Sequence, residues 1–372
     1  MRLLKITFVL LLFQFPLSIH AQSIAWQRAN KMGKGMNLSW MDQRWNGTDE
    51  EDQRDYLDLD KLPYIKEQIQ LMHKFGFKLL RFPVCFELWY DKEAPYKLLK
   101  SEYYQALDSV IKWTGENKMQ LIIDNHHGTL ITANLQSDTK RICAIWNDVA
   151  RRYKNSDAER ILFEIFNEPH QITQEAWVQT AEEIISAVRK QSSHHTLIVG
   201  ASEWNGWKAL QNSTPFADTN IIYTFHFYDP FLYTHQGASW AGEAASTTGI
   251  PYPYRSKDMP KIDVKAASTW AMGAFNEYPK EGNYESMNNK LNSVKEWSKD
   301  NMVPIFCGEW GAYKQHTTIQ DRCTYLFDVY AILQSNNIPN AMWEWDAGFS
   351  FFEDKPSIHG VTPCMKGIVE GK

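Results

Sequence analysis

Short, strongly apolar runs recur along the chain, and each is followed by a longer segment with apolar residues at helical spacing, an alternation that predicts βαβ units. The runs lie at residues 33–38, 78–82, 120–124, 161–166, 196–201, 221–226, 303–308 and 340–345. None is closed by a hairpin turn. The segment 62–75 stops at Gly76, and Trp177, Ala181, Ile184, Ile185 and Val188 draw one apolar face on the segment after the fourth run. Eight strands with helices between them predict an α/β chain folded as a (β/α)8 TIM barrel in a single domain. An open doubly wound sheet is the rival, but its first strand would lead through a glycine-rich turn into a capped helix, and GKGMNLSW does not. Between strands 6 and 7 the reading expects one long loop, rich in aromatic residues, Pro, Gly and Ser and including Trp240, Tyr252, Pro253, Tyr254 and Trp270. Loops of that length are usually functional.

The first residues, MRLLKITFVLLLFQFPLSIHAQ, place Arg2 and Lys5 before an apolar run and end on Ala21. That is the pattern of a signal peptide over 1–21, leaving 22–372 as the catalytic domain and predicting export to a periplasm or the extracellular space. No Cys stands near the cleavage region to take a lipid, and no stretch reaches the roughly 20 apolar residues of a membrane span. The five cysteines (Cys85, Cys143, Cys307, Cys323, Cys364) are too scattered for a disulfide framework or a zinc motif, though one or two bridges fit an exported protein.

Composition narrows the partner. A formal net charge of -5 gives no broad basic field, which disfavours nucleic acid and anionic membranes. Fifteen Trp and seventeen Tyr exceed what a core of this size needs, and flat amphipathic rings pack well against sugar faces. A neutral polysaccharide or oligosaccharide fits; the oligomeric state is not encoded in any feature of the chain.

In a (β/α)8 enzyme the chemistry sits where the strands end. Those ends read LRFP with Arg81, DNHH with Asp124, His126 and His127, FNEP with Asn167 and Glu168, SEWNGW with Trp204, FHFY with His226 and Tyr228, CGEWG with Glu309, and MWEWDAG with Trp343. Glu168 and Glu309 close the fourth and seventh strands. Retaining glycoside cleavage needs such a pair, one carboxylate as nucleophile and one carboxylic acid on the leaving oxygen, about 5 to 5.5 Å apart. Asn167 is placed to bind a sugar 2-hydroxyl, Arg81 to hold Glu309 ionised, and the charge on Glu309 to keep Glu168 protonated. Asn37, ending the first strand, is a further candidate for a sugar hydrogen bond. Trp204 is balanced between groove platform and core packing, Trp310 and Trp345 lean to packing, and the acidic stretch 50–60 reads as a solvated face.

ILFEIFNEPH, IFCGEWG, LRFP, the His pair, FHFY and the late Trp together resemble the family 5 glycoside hydrolases of the clan A barrels, the group of many cellulases and mannanases, over nearly the whole mature chain. The resemblance implies Glu168 as general acid/base and Glu309 as nucleophile. It implies support from Arg81, His126 (or His127), Asn167, His226 and Tyr228, with Tyr228 orienting the nucleophile and Trp343 stacking under the sugar at the cleavage site. No cofactor and no metal are implied. The segment WMDQRWNGTDEEDQRDYLD and the long aromatic loop depart from better-known members.

The expected function is a retaining endo-β-1,4-glucanase acting by double displacement, with mannan or xyloglucan as rival substrates. Two distant alternatives are a metal-dependent hydrolase ligated by Asp124, His126, His226 and Asp229, and a catalytically silent glycan-binding protein.

Overall fold

A computed structural model describes residues 23–42, 57–128, 130–352 and 354–370. The signal-peptide expectation and most of the acidic insertion, 43–56, lie outside the described residues. Eight parallel strands close into a barrel in chain order, β1 (Lys34–Asn37), β2 (Leu79–Val84), β3 (Gln120–Asn125), β4 (Ile161–Glu164), β5 (Leu197–Val199), β6 (Ile221–Phe227), β7 (Ile305–Trp310) and β8 (Asn340–Met342). Every expected strand is present. The ends differ by a few residues, because apolar runs continue past the last ladder bond into the loops.

The helices pack outside. In α2 (Leu62–Lys74) the buried positions Ile65, Ile69 and Met72 recur at helical spacing, a proline near its start suits the first turn, and Gly76 beyond its end takes φ +76°. In the helix Gln174–Gln191 the Thr173 side chain caps the amino end by accepting from the Ala176 amide, and Trp177, Ala181, Ile184 and Val188 form the buried face. No helix of the described residues is long and apolar enough to cross a membrane.

Side chains facing the barrel axis change character along it. At the amino end Leu79, Ile122, Leu162, Ile198, Ile222, Phe306 and Ala341 form an apolar layer, sealed from below by Ala25, Ala29 and Met32 of the first helix, α1 (Ile24–Met32). Gly35 belongs to this crowding: a Cβ there would come within 2.8 Å of the Asn340 carbonyl and of Leu79. Two residues further along three of the strands stand Arg81, Asp124 and Glu164, all buried.

The interval between β6 and β7 corrects the expectation of one long loop. It holds helices at Phe231–Thr234, Val264–Ala267, Ala271–Glu281 and Tyr284–Asp300. Its Pro and Gly content masks them at the level of pattern; the last is the ordinary outer helix of the sixth βα unit, with Met287, Leu291 and Val294 buried.

Candidate active site

Arg81 is the centre of the polar layer. Its guanidinium is fully buried and uses its fork in every direction. Nε donates to Glu164 Oε2 at 2.7 Å and Nη2 to Glu164 Oε1 at 2.9 Å, a bidentate pair. Nη1 donates to Glu309 Oε1 at 2.7 Å and to Asn37 Oδ1 at 3.0 Å. Nη2 also reaches Asn167 Oδ1 at 2.7 Å and Asp124 Oδ2 at 3.0 Å. One cation thus faces three carboxylates in a dry interior. Burial outweighs that cation for Asp124 and for Glu164, each pushed up to about 7, while the surrounding anions hold the Arg81 proton far above its usual range.

Glu309, next to last in β7, is positioned through a register shift. Cys307 pairs with Phe225 but Glu309 pairs with His226, so Gly308 bulges and Glu309 swings inward. Gly308 also makes room: a Cβ there would sit 2.8 Å from Thr224 Oγ1 and 3.3 Å from His226 Nε2. Beyond the Arg81 contact, Tyr228 donates to Glu309 Oε2 at 2.9 Å. His226 Nδ1 lies 2.7 Å from Glu168 Oε1 and 3.5 Å from Glu309 Oε2, bridging the two carboxylates. Burial holds His226 near 4, so the imidazole is neutral at ordinary pH. One oxygen of Glu168 and one of Glu309 lie within 4.8 Å of each other and of the His226 nitrogen.

The two carboxylates are unequal. Burial pushes Glu168 up to about 7. Burial raises Glu309 as well, opposed by His226, Arg81 and the Tyr228 hydrogen bond. Desolvation is the largest cause of the Glu168 shift, and Asp42 adds to it; repulsion between Glu168 and Glu309 appears on the Glu309 side, where it helps to raise that carboxyl.

Asn167 lies beside this pair, with its Nδ2 3.5 Å from His126 Nε2. His126 Nδ1 is 2.6 Å from Asp124 Oδ2, and its ring lies parallel to Trp343, centroids 5.3 Å apart at 6°. His127 contacts Asp42, which also stands 3.4 Å from His126 Nε2. The two histidines therefore differ: His126 belongs to the buried network under Trp343, and His127 belongs to Asp42. Trp204 is exposed, carried on a turn where Glu203, Trp204 and Asn205 all take left-handed backbone angles near φ +55°. Its ring stacks on His170 at 3.7 Å and 5°, with His170 Nδ1 2.7 Å from the Glu168 carbonyl oxygen. Three successive left-handed non-glycine residues are costly, and such backbone clusters at functional sites.

Asn37 is a correction. It is fully buried, and its amide donates to the carbonyls of Gly308, Ala341 and Met342 at 3.0 to 3.3 Å while its oxygen accepts from Arg81. It ties β1 to β7 and β8 beneath the site and has nothing left to offer a sugar. The quartet proposed for a metal does not assemble either, since Asp229 turns to Lys290 at 2.7 Å and to Trp207 Nε1 at 3.0 Å. Among the described residues two other groups could hold an ion, Asp42 with His126 and His127, and Glu168 with His226 and Glu309.

Two groups carry no mark in the sequence analysis, Glu164 and Asp42, and a third, Glu344, reads from the sequence as either structural or near the substrate. Glu164 was detectable as the one charge inside the apolar run ILFEIF. Asp42 sits at the start of the acidic insertion, where no periodicity marks it. Glu344 follows Trp343, is buried against the Ser39 hydroxyl and is pushed up to about 8 by burial.

A family model described as Cellulase (glycosyl hydrolase family 5) matches residues 33–348. Endoglucanase 3 of Fibrobacter succinogenes is 28% identical over 321 residues, 81% of this chain and 49% of that protein. Endoglucanase C of Acetivibrio thermocellus is 25% identical over 75% of this chain and 83% of its own length. The chain thus spans about half the length of the first relative and most of the second. Among solved structures, Thermotoga maritima Cel5A in complex with cellobiose superposes with a TM-score of 0.73 at 25% identity, covering 93% of this chain and 99% of its own. A further Cel5A structure, in complex with mannotriose, has a TM-score of 0.71 at 25% identity over 88% of this chain and 95% of its own.

Proposed function

Given that the chain belongs to glycosyl hydrolase family 5, enzymes acting on O-glycosidic bonds, we propose that it is a retaining endo-β-1,4-glucanase working by double displacement. The observation that carries the reading is the spacing of the two carboxylates: oxygens within 4.8 Å suit a direct nucleophile, whereas an inverting pair stands about 6.5 to 9.5 Å apart to admit a water.

Glu309, ionised and held by Arg81 and Tyr228, attacks the anomeric carbon. Glu168, near half-protonated at pH 7, gives its proton to the glycosidic oxygen as that bond breaks, leaving the sugar esterified to Glu309. Glu168, now a carboxylate, then takes a proton from water, whose oxygen attacks the same carbon and frees Glu309. Asn167, its oxygen fixed by Arg81, presents its NH₂ to the sugar 2-hydroxyl. Trp343, supported by His126, is the platform under the sugar being cleaved, and Trp204 offers a second face beyond Glu168. The leader pattern of residues 1–21 fits export to where such polymers lie.

The glucan reading is supported by the endoglucanase relatives. Mannan is the second reading, since a mannotriose complex exists for the similar Cel5A. Release of reducing ends from soluble β-1,4-glucan, β-mannan and xyloglucan, with Glu309→Gln as control, tests both. Glu309-dependent cleavage of the glucan is expected; cleavage of mannan alone replaces the substrate, and no Glu309-dependent cleavage of any of them overturns the proposal.

A further inference from the structure

Three of the described tryptophans are exposed, Trp204, Trp240 and Trp270, at 58, 58 and 59%. All lie on segments that follow β5 or β6 at the carboxyl side of the barrel. Each is braced by at least one neighbouring ring while more than half of its surface stays exposed. Trp204 stacks on His170; Trp240 meets Tyr313 edge-on at 4.8 Å and 83°; Trp270 meets Phe231 at 5.5 Å and 62°. Single exposed apolar side chains are ordinary on a protein surface, so what sets these three apart is where they lie and how each is held.

Trp270 is physically continuous with the reaction centre. From Tyr228, which donates to Glu309, one series of rings runs to Phe349 at 5.9 Å and on to Trp240 at 6.3 Å. A second runs from Tyr228 to His235 at 4.9 Å, then to Phe231 stacked on it at 4.2 Å and 7°, and ends at Trp270. Trp270 also has a rigid mount. It caps the helix Ala271–Glu281, whose Tyr278 is buried and donates to the Pro251 carbonyl at 2.7 Å. A mounted ring that is more than half exposed, uncharged and joined to the nucleophile's partner through packed aromatics, is matched to a neutral pyranose face.

We propose that Trp270 is a distal sugar-binding platform, engaged only by β-linked chains long enough to run past the cleavage site onto the insert between β6 and β7. The inference rests on the glucan reading and adds to it a preference for long chains. Binding is measured in the full chain carrying Glu309→Gln, which keeps the ligand intact, with hydroxyethylcellulose and with cellotriose, with and without Trp270→Ala or Trp270→Phe. Trp270→Ala is expected to weaken polymer binding roughly three- to tenfold, the loss of one ring contact, while cellotriose binding is unchanged and Trp270→Phe restores most of the polymer affinity. Equal polymer affinity with and without the ring, or equal loss for both ligands, overturns the platform. If the parent binds neither glucan, the glucan reading falls as well, so the two failures are told apart.

Discussion

The two halves of the barrel interior are built from the same strands and obey opposite rules. At the amino end, Leu79, Ile122 and Leu162 meet the first helix in a wholly apolar layer. Two residues on, about 6.6 Å along each strand, the same faces carry Arg81, Asp124 and Glu164. The lower layer stabilises by burying apolar surface. The upper layer sets charges against burial and is tolerable because one guanidinium meets them all. Stability and chemistry are therefore separated along one axis, and substitutions can test that separation directly.

The largest effect is expected at the pair itself. Glu309→Gln or Glu168→Gln lowers kcat on polymer at least about a thousandfold, and thermal melts should show folding retained, because each change removes a buried charge held up by desolvation. Next comes Arg81→Met, which breaks the separation. Three carboxylates lose their cation, so activity and about 3 to 5 kcal/mol of stability go together. That loss should shrink on lowering the pH below 7 as the carboxylates take up protons; denaturant titrations at pH 5 and 7.5 check this, and an equal loss at both would show that the fork acts by packing alone. In the lower layer, Leu162→Ala should cost about 2 to 5 kcal/mol while kcat per folded molecule stays near wild type. A large fall in kcat there would mean that the floor positions the site. The smallest effect is on pH: kcat/KM should decline as pH rises through about 7, where Glu168 loses the proton that the proposed mechanism has it donate. With an aryl glycoside whose leaving group needs no proton, that limb should flatten.

The barrel was legible because each strand is a compact apolar run with polar chemistry at its end. The same fact hid the upper layer. Strands buried on both faces lose the alternation that would mark which residues look inward, so Glu164 was passed over between Phe163 and Ile165. Asn37 was misjudged for a related reason. It does end its strand, but it sits one layer below the mouth, where Arg81 and three carbonyls claim it. The pairing of His126 with Trp343 joins positions just past the ends of β3 and β8 that no local pattern relates. The helices between β6 and β7 were obscured by Pro and Gly, which lower the apparent helical signal without preventing helices between them.

The first helix lies across the floor of the barrel, and Lys34, at the foot of β1, donates to the Ile368 carbonyl at 3.1 Å, bringing the helix Pro363–Glu370 to the same end. Both ends of the described fold thus leave from the face opposite the cleft. Anything attached at either end would hold the barrel by its base, with the mouth turned outward and unobstructed.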